Sequence, residues 1–593
     1  MPPKSAKLAD PGPRPQMERA GLVLLDGSWQ FALDANAAWT LPEHVKWKRR
    51  IVVPFAPETP ASGIGDTTFY LACWYRRTIR LVRPENGSRV LLTFGAVDSE
   101  ARVWVNGRLV AEHVGGYTPF TTDITDALNP ESVQEIVVRA YDDPHDLAKP
   151  RGKQDWKLNS HSIWYPRTTG IWQSVWYEVV PSTYIQHLRW TSNLERWEIG
   201  LEAWLGGDKQ REGLRLHVKL LSGATMLAND TYEVIAGEVH RRIAFSDPGI
   251  DDVRNDLLWS PERPTIIRAE IELWGGRGEL IDLVRSYTAL RTIGVMGDRV
   301  ALNGRPYLLR LVLDQGYWPD TGLTPPNSAA LRRDIELTKA LGFNGVRKHQ
   351  KVEDPRYLYW ADHLGLLVWE EMPSAYRFTK ASVESVTTQW MEVIDRDYSH
   401  PCIVVWVPFN ESWGVPDLPA REEQRHYVRA LYHLTKTIDN TRLVVGNDGW
   451  EHVATDIVAI HDYEADPKKI EERYDIDRVR AHLVKTEYSS GRNLVLPGFD
   501  VEGKPLMLSE FGGIAYAPKS SGVWGYSWAR TEAELVLRYR ALVNTVNELP
   551  LLAGFCYTQL TDTYQEANGL LYADRTPKAS IAKLSLEEHG SKR

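Results

Sequence analysis

The chain is poor in cysteine. Its 593 residues hold three, Cys73, Cys402 and Cys556, too few and too scattered for a disulfide framework or a zinc site. Cys402 and Cys556 sit inside apolar, strand-like runs and read as small buried hydrophobes. Basic charge is also lacking: the formal net charge is −8, which argues against nucleic acid, because a phosphate backbone calls for a basic surface. No apolar run approaches the roughly 20 residues needed to cross a bilayer, and the N-terminus has no stretch of signal-peptide length. These absences point to a cytoplasmic protein in a reducing compartment, with no membrane partner. There is no Cys/His cluster and no glycine-rich phosphate loop, so neither metal nor cofactor is expected.

What is abundant is aromatic: 23 Trp and 26 Tyr. Flat rings stack on the apolar faces of sugars, but large β-domains also fill their cores with aromatics, so composition alone does not choose. The first 19 residues are rich in proline and charge and read as disordered. Residues 20–180 alternate in short segments broken by turn signals, as in "FYLACWYRRTIRL" and "VWVNGRLV". In the second, Asn106-Gly107 supplies the positive-φ pair of a tight hairpin. A jelly-roll β-sandwich is expected there. Residues 181–293 continue in β pattern and fit the roughly seven strands of an immunoglobulin-like sandwich.

From 294 to 593 strand-like runs alternate with helix-like ones. In "AALRRDIELTKALG" the apolar residues Ala329, Leu331, Ile335, Leu337 and Leu341 fall near helical spacing, and Gly342 is positioned as a C-cap. Alternation over about 300 residues is the pattern of a (β/α)8 TIM barrel. The predicted fold is two β-sandwiches followed by a barrel.

Barrel chemistry gathers at the C-terminal ends of the strands. The candidate strands end, in order, in Asp314-Gln315, in Arg347 and His349, in Glu370-Glu371, in Asn410-Glu411, in Asn447-Asp448, in His461 and Tyr463, in Glu510, and in Thr558, Gln559 and Asp562. Two acids stand out, 99 residues apart: Glu411 in "NESWG" and Glu510 in "SEFGG". Each follows an apolar strand and precedes a glycine-containing turn, a spacing that suits the fourth and seventh strands. Taken singly, either glutamate is as well explained by capping a helix or by pairing with Arg347. Two carboxyl groups facing each other across a barrel mouth are the machinery of glycoside hydrolysis, one as proton donor and one as nucleophile.

At these residues the sequence resembles glycoside hydrolase family 2 over nearly its whole length. "NESWG" looks like that family's acid/base motif and "SEFGG" like its nucleophile strand. "GFNGVRKHQKVEDPRYLYWADHLGLLVWEEMP" is similar to its second-to-third strand segment, and "RGKQDWKLNSHSIWYPRTTGIWQSVWYEVVP" to the end of its sugar-binding jelly roll. The resemblance implies Glu411 as acid/base, Glu510 as nucleophile and Asn410 as the hydrogen-bond partner of the neighbouring sugar hydroxyl. It implies Tyr463 orienting the nucleophile, with Asp314, Arg347, His349, Glu371, Trp413, Asn447, His461 and Gln559 as substrate-binding wall.

Departures from the family's pattern bear on the substrate. "WEEMPSAYRF" lacks the Glu-x-His magnesium site of the bacterial lac-type β-galactosidases, and in "QEANGLLYADRTPK" Asn568 is followed by Gly569 and Leu570 instead of completing the Asn-x-Lys motif of β-glucuronidases. The expected activity is a retaining exo-β-glycosidase on β-galactoside-like sugars. A glucuronide, a mannoside or a furanoside remains as the alternative, and a carbohydrate-binding protein without turnover as the competing class. Self-association is left open. The loop "RGKQ" (Arg151, Gly152, Lys153, Gln154) is read either as a solvated basic loop or as a cover that shortens the pocket at the barrel mouth.

Overall fold

The computed structural model describes residues 10–209, 211–246, 249–475, 491–518 and 520–586. The first sandwich packs a four-stranded sheet (Val23–Leu24, Val175–Val180, Arg89–Phe94, Phe120–Asp123) on a six-stranded one. The latter contains Gly27–Asp34, Ala72–Arg80, Val133–Tyr141 and Glu100–Val105. Alternate residues such as Trp29, Phe31, Val90, Leu92, Ile136 and Val138 fill the space between the sheets. Asn106 and Gly107 have φ of 49° and 78°, and Val105 pairs with Arg108, so the hairpin turns where its sequence requires.

Seven antiparallel strands form the second sandwich, three (Thr183–Asn193, Glu198–Gly207, Glu238–Ala244) facing four (Thr225–Glu233, Arg215–Ser222, Ile267–Trp274, Leu280–Thr288). Period-two burial is clear in the strand Ile267–Trp274, where Ile267, Ala269, Ile271 and Leu273 point inward.

The expectation of a disordered start needs correction. Residues 1–9 lie outside the described residues, but residues 10–19 pack against the body of the protein. Met17 is buried in the core of the second sandwich, and Glu18 exchanges backbone hydrogen bonds with Arg285. Pro11, Pro13 and Pro15 are buried as well, so the prolines stiffen a segment that has apolar surface to cover.

The barrel's eight parallel strands are Leu309–Asp314, Gly345–Lys348, Leu367–Glu371, Ile403–Val407, Leu443–Val444, Val458–Asp462, Leu506–Gly512 and Leu552–Thr558. They are hydrogen-bonded in the order 5-4-3-2-1-8-7-6. The fifth strand is two residues long, and its pairing with the fourth is extended past its end by Glu411 N to Asp448 O (2.9 Å) and Asp448 N to Phe409 O (2.9 Å). Helix Ser328–Ala340 starts at Asn327, whose side chain accepts from Ala330 N, and ends before Gly342 at φ 85°. The three cysteines are buried and free, and no helix among the described residues is long and apolar enough to cross a membrane.

Candidate active site

Arg347 is the hub of the barrel's C-terminal rim. Its guanidinium is fully buried and reaches Glu371 Oε2 (2.7 Å), Glu510 Oε1 (2.9 Å), Asn410 Oδ1 (2.6 Å) and Asp448 Oδ1 (3.4 Å). Burial opposes its charge, but Asp448, Glu371 and Glu510 outweigh burial and hold the arginine firmly protonated. A planar fork with five donors suits this task, because a lysine could not serve four acceptors in one plane.

His461, from the sixth strand, bridges the two motif glutamates. Its Nδ1 lies 2.8 Å from Glu411 Oε1, and its Nε2 lies 2.8 Å from Asp448 Oδ1 and 3.4 Å from Glu510 Oε1. Burial would push its pKa down, yet Glu510, Asp448 and Glu411 raise it to about 10. At neutral pH the ring is therefore an imidazolium that donates from both nitrogens. Asp448 is held well below the usual carboxylate range, since Arg347, His461 and Ser509 outweigh its burial. One oxygen each of Glu411 and Glu510 and one nitrogen of His461 lie within 4.8 Å of one another.

Local backbone explains how these side chains converge. In the pairing of the sixth and seventh strands the register shifts by one residue between Ile460/Leu508 and His461/Glu510. This bulge turns Ser509 toward Asp448 Oδ1 (2.5 Å) while Glu510 faces the mouth. Glu411 and Ser412 have φ of 52° and 59°, left-handed values that non-glycine residues adopt at a cost and that cluster at functional sites. Asn447 holds this turn: its Oδ1 accepts from Ser412 N (3.0 Å), and its Nδ2 donates to Trp450 O (2.8 Å) and Ser412 Oγ (3.1 Å). Gly449, at φ 105°, lets the fifth-strand loop pass the histidine, because a Cβ there would sit 2.8 Å from His461 Nδ1.

Tyr463 donates its hydroxyl to Glu510 Oε2 (2.6 Å) and stacks on Tyr526 with ring centroids 3.4 Å apart. His349 Nδ1 lies 3.2 Å from Glu371 Oε1. Its pKa is pushed well below the ordinary value by burial first, then by the charges of Lys153 and Arg347, so it is neutral. Trp413, two residues past Glu411, faces Tyr376 (5.3 Å) and His349 (6.4 Å). Gln559 accepts from Gln315 and donates to Asn568 Oδ1 (2.7 Å) on a buried side of the rim.

Eleven of the predicted residues thus share the rim, but Asn447 acts on backbone instead of facing the mouth. Asp314 stands apart: Lys348 takes it at 2.7 Å and binds Glu353 as well, a buried ion-pair network that joins the first two strands. Three participants were missed as site residues, Ser509, Gln350 and Glu566, and Asp448, read only as a strand end, joins them. Asp448 and Ser509 are hidden behind the motif glutamates, Gln350 binds Glu371 Oε1 (2.5 Å), and Glu566 lies in the loop after the last strand. Glu566 accepts from Tyr165 Oη (2.9 Å), and burial raises its carboxyl to about 7 against the opposing charge of Lys153. Only its place in a polar run after a strand end hinted at it.

The loop "RGKQ" belongs to this rim. Arg151 N and Gly152 N donate to Ser374 O, Tyr376 Oη donates to Gly152 O (2.7 Å), and Lys153 Nζ is 5.2 Å from the centre of the Trp413 ring. Among the described residues two groupings have the donor types for a metal ion, Glu411–His461–Glu510 and Asp362–His400–Cys402. In the first, both histidine nitrogens carry protons and face carboxylates. In the second, Asp362 already accepts from Tyr287 Oη (2.8 Å), His400 Nδ1 (2.6 Å) and Cys402 N (2.8 Å), and burial keeps the Cys402 thiol protonated. Neither offers a free lone-pair set. A cavity of about 630 Å³ lined by Arg14, His113, Trp176, Asp395 and Arg396 shares no residue with the rim around Glu411 and Glu510.

Comparison with known proteins agrees with this arrangement. Residues 293–588 match the model "Glycosyl hydrolases family 2, TIM barrel domain", and residues 22–143 match "Glycosyl hydrolases family 2, sugar binding domain". A β-galactosidase of Thermoanaerobacter pseudethanolicus is 26% identical over 372 residues, covering 61% of this chain and 48% of that relative. The chain spans about half the length of the curated relatives it matches. Among solved structures, Bacteroides uniformis β-glucuronidase 3 superposes with a TM-score of 0.75 at 18% identity, over 96% of this chain and 75% of that one. A β-glucuronidase from Ruminococcus gnavus in complex with D-glucuronic acid superposes with a TM-score of 0.74 at 19% identity, over 96% and 98%. At these identities the structural likeness speaks for the fold. The order of two sandwiches and a barrel, the rim built on its strand ends and the two family models together make this chain a member of glycosyl hydrolases family 2.

Proposed function

We propose that the protein is a retaining exo-β-glycosidase that removes a terminal non-reducing neutral sugar, β-galactoside-like before the alternatives. The observation that carries this reading is the closeness of Glu411 and Glu510: a carboxyl oxygen of each lies within 4.8 Å of the other. A nucleophile and an acid/base sit about 5–5.5 Å apart in retaining enzymes, whereas inverting enzymes need room for a water between them.

In the first step Glu510 attacks the anomeric carbon while Glu411 gives its proton to the departing glycosidic oxygen, leaving a glycosyl ester on Glu510. In the second, Glu411 takes a proton from water, the water attacks the same carbon, and Glu510 leaves. Arg347 and Tyr463 hold the two oxygens of Glu510 at 2.9 and 2.6 Å, which aims the attacking carboxylate. Asn410, fixed by Arg347 through its Oδ1, has a buried Nδ2 with no partner among the described residues, suited to the sugar hydroxyl beside the reacting carbon. The sandwich loop across the mouth favours exo action.

The test uses 4-nitrophenyl glycosides of β-D-galactose, β-D-glucose, β-D-mannose, β-D-galactofuranose, α-L-arabinofuranose and β-D-glucuronic acid. A neutral member is hydrolysed at least 100-fold faster than the glucuronide, and a 2-deoxy-2-fluoro analogue labels Glu510. Glu510→Gln loses roughly 10⁴-fold in kcat. Glu411→Ala still releases nitrophenol in a first turnover and then stalls. Added azide restores its turnover with a β-glycosyl azide as product, while Glu510→Ala gives the α-azide. The same azide anomer from both variants would overturn the assignment.

A further inference from the structure

Lys153 is a charged side chain in the wrong place for a merely structural lysine. It is 5% exposed, yet among the described residues no carboxylate or carbonyl oxygen pairs with its ammonium. The face of the Trp413 ring lies 5.2 Å from it. Other buried lysines of the barrel behave differently. Lys348 meets Asp314 and Glu353, Lys351 meets Glu353, and Lys578 meets Asp562 and Ala567 O. An ammonium at the end of a largely buried side chain, with no protein acceptor, keeps its three donors for water or a ligand.

The chain invests heavily in holding it there. Arg151 ties the loop together by donating to Pro144 O, Asp146 O, Gln154 O and Asp155 O. Gly152, at φ 55°, wedges against the barrel so closely that a Cβ would lie 2.3 Å from Gln350 O. Lys153 O accepts from Tyr165 N (2.8 Å), and the same tyrosine donates its hydroxyl to Glu566 Oε1 (2.9 Å). The loop is thereby locked both to the residue after His349 and to the acid in the loop after the last strand, and Lys153 acts electrostatically on both His349 and Glu566.

We propose that Lys153, delivered by the first sandwich, and Glu566, delivered by the barrel, hold the non-reacting hydroxyls of a neutral sugar and discriminate against uronides. This rests on the function proposed above. A donor with three protons and an acceptor on the same wall suit a polyol. A sugar carboxylate suits the site less well, because it would have to share that wall with the carboxyl group of Glu566, on which Lys153 already acts. Glu566, with its carboxyl raised to about 7 by burial, can accept or donate near neutrality.

Lys153→Met keeps the length and loses the ammonium; Lys153→Arg keeps the charge. On the best neutral member of the glycoside panel, Lys153→Met should lose about 10–100-fold in kcat/KM, the effect of removing a charged hydrogen-bond donor. Lys153→Arg should recover part of it, and Glu566→Gln should lose about tenfold. The diagnostic is non-additivity. With the 3-, 4- and 6-deoxy analogues of that substrate, the penalty of Lys153→Met should vanish for the analogue that lacks the hydroxyl it holds. An equal penalty on every analogue would make Lys153 structural and overturn the proposal, as would unchanged kinetics. A wild-type preference for the glucuronide that disappears in Lys153→Met would make it a carboxylate site instead. Labelling of Glu510 by the 2-fluoro sugar separates the two readings: its failure in wild type sinks the proposed reaction, whereas normal labelling beside unaltered Lys153→Met kinetics sinks this inference alone.

Discussion

His461 shows how one residue sets the charge state of the whole rim. Three carboxylates surround it, and their pull raises its pKa from an ordinary 6.5 to about 10. In the unfolded chain it would titrate near 6.5. The folded state therefore binds a proton that the unfolded state releases between those two values. The resulting stabilisation is fully present below pH 6.5 and is lost as pH rises through about 10, at about 1.4 kcal/mol per pH unit. Melting temperature should accordingly decline across pH 7–10 in the wild type, and that alkaline slope should flatten in His461→Gln. An equally steep slope in the variant would show that the histidine is not the titrating group.

At the scale of elements, the strand ends were the legible part of the site. Apolar runs that stop at a polar residue mark barrel strands whichever helices follow, so Glu411, Glu510, Arg347, Tyr463 and His461 could be read directly. What sequence could not show was direction. Asp314 ends the first strand as plainly as Glu510 ends the seventh, yet Lys348 claims it because the second strand places that lysine 2.7 Å away. Asn447 reads like a wall residue but serves the turn at Ser412, whose left-handed backbone has no signature in "NESWG". The bulge at Ser509 was equally silent. The loop "RGKQ" was legible only as a choice between solvated and covering, since its contacts come from residues 200 positions away. Gly152 offers the test at this scale. Alanine there meets both a positive φ and a carbonyl 2.3 Å from its Cβ, so the loop must lift from the rim. Gly152→Ala should lose about 1–3 kcal/mol of stability and at least tenfold in kcat/KM, measured by denaturant unfolding and steady-state kinetics. Retention of both would mean that the loop position does not matter to turnover.

The whole molecule is built so that the sandwiches cannot be separated from the chemistry. The barrel's apolar core runs on without interruption into Ala96, Tyr117, Tyr165 and Trp172 of the first sandwich and into Trp259, Ala289 and Ile293 of the second and its exit. Polar contacts cross the same boundaries. Thr324 Oγ1 donates to Trp172 O (2.7 Å), Trp259 Nε1 to Asp362 O (2.8 Å), and buried Arg291 to Pro401 O and Ile403 O. Units joined through a shared core should melt together instead of one by one, since opening any boundary exposes apolar surface on both sides. Trp172 is the sharpest probe, fully buried, with its indole bonded to Gly116 O (2.7 Å) and its edge against Tyr117. Trp172→Ala should cost about 3–5 kcal/mol and move the entire calorimetric transition downward as a single peak. A separate early transition in the variant, with the barrel melting unchanged, would instead show that the first sandwich folds as an independent appendage. A single transition ties Lys153 to the barrel by the same free energy that holds the core, which is the condition for a residue of one domain to read a substrate bound in another.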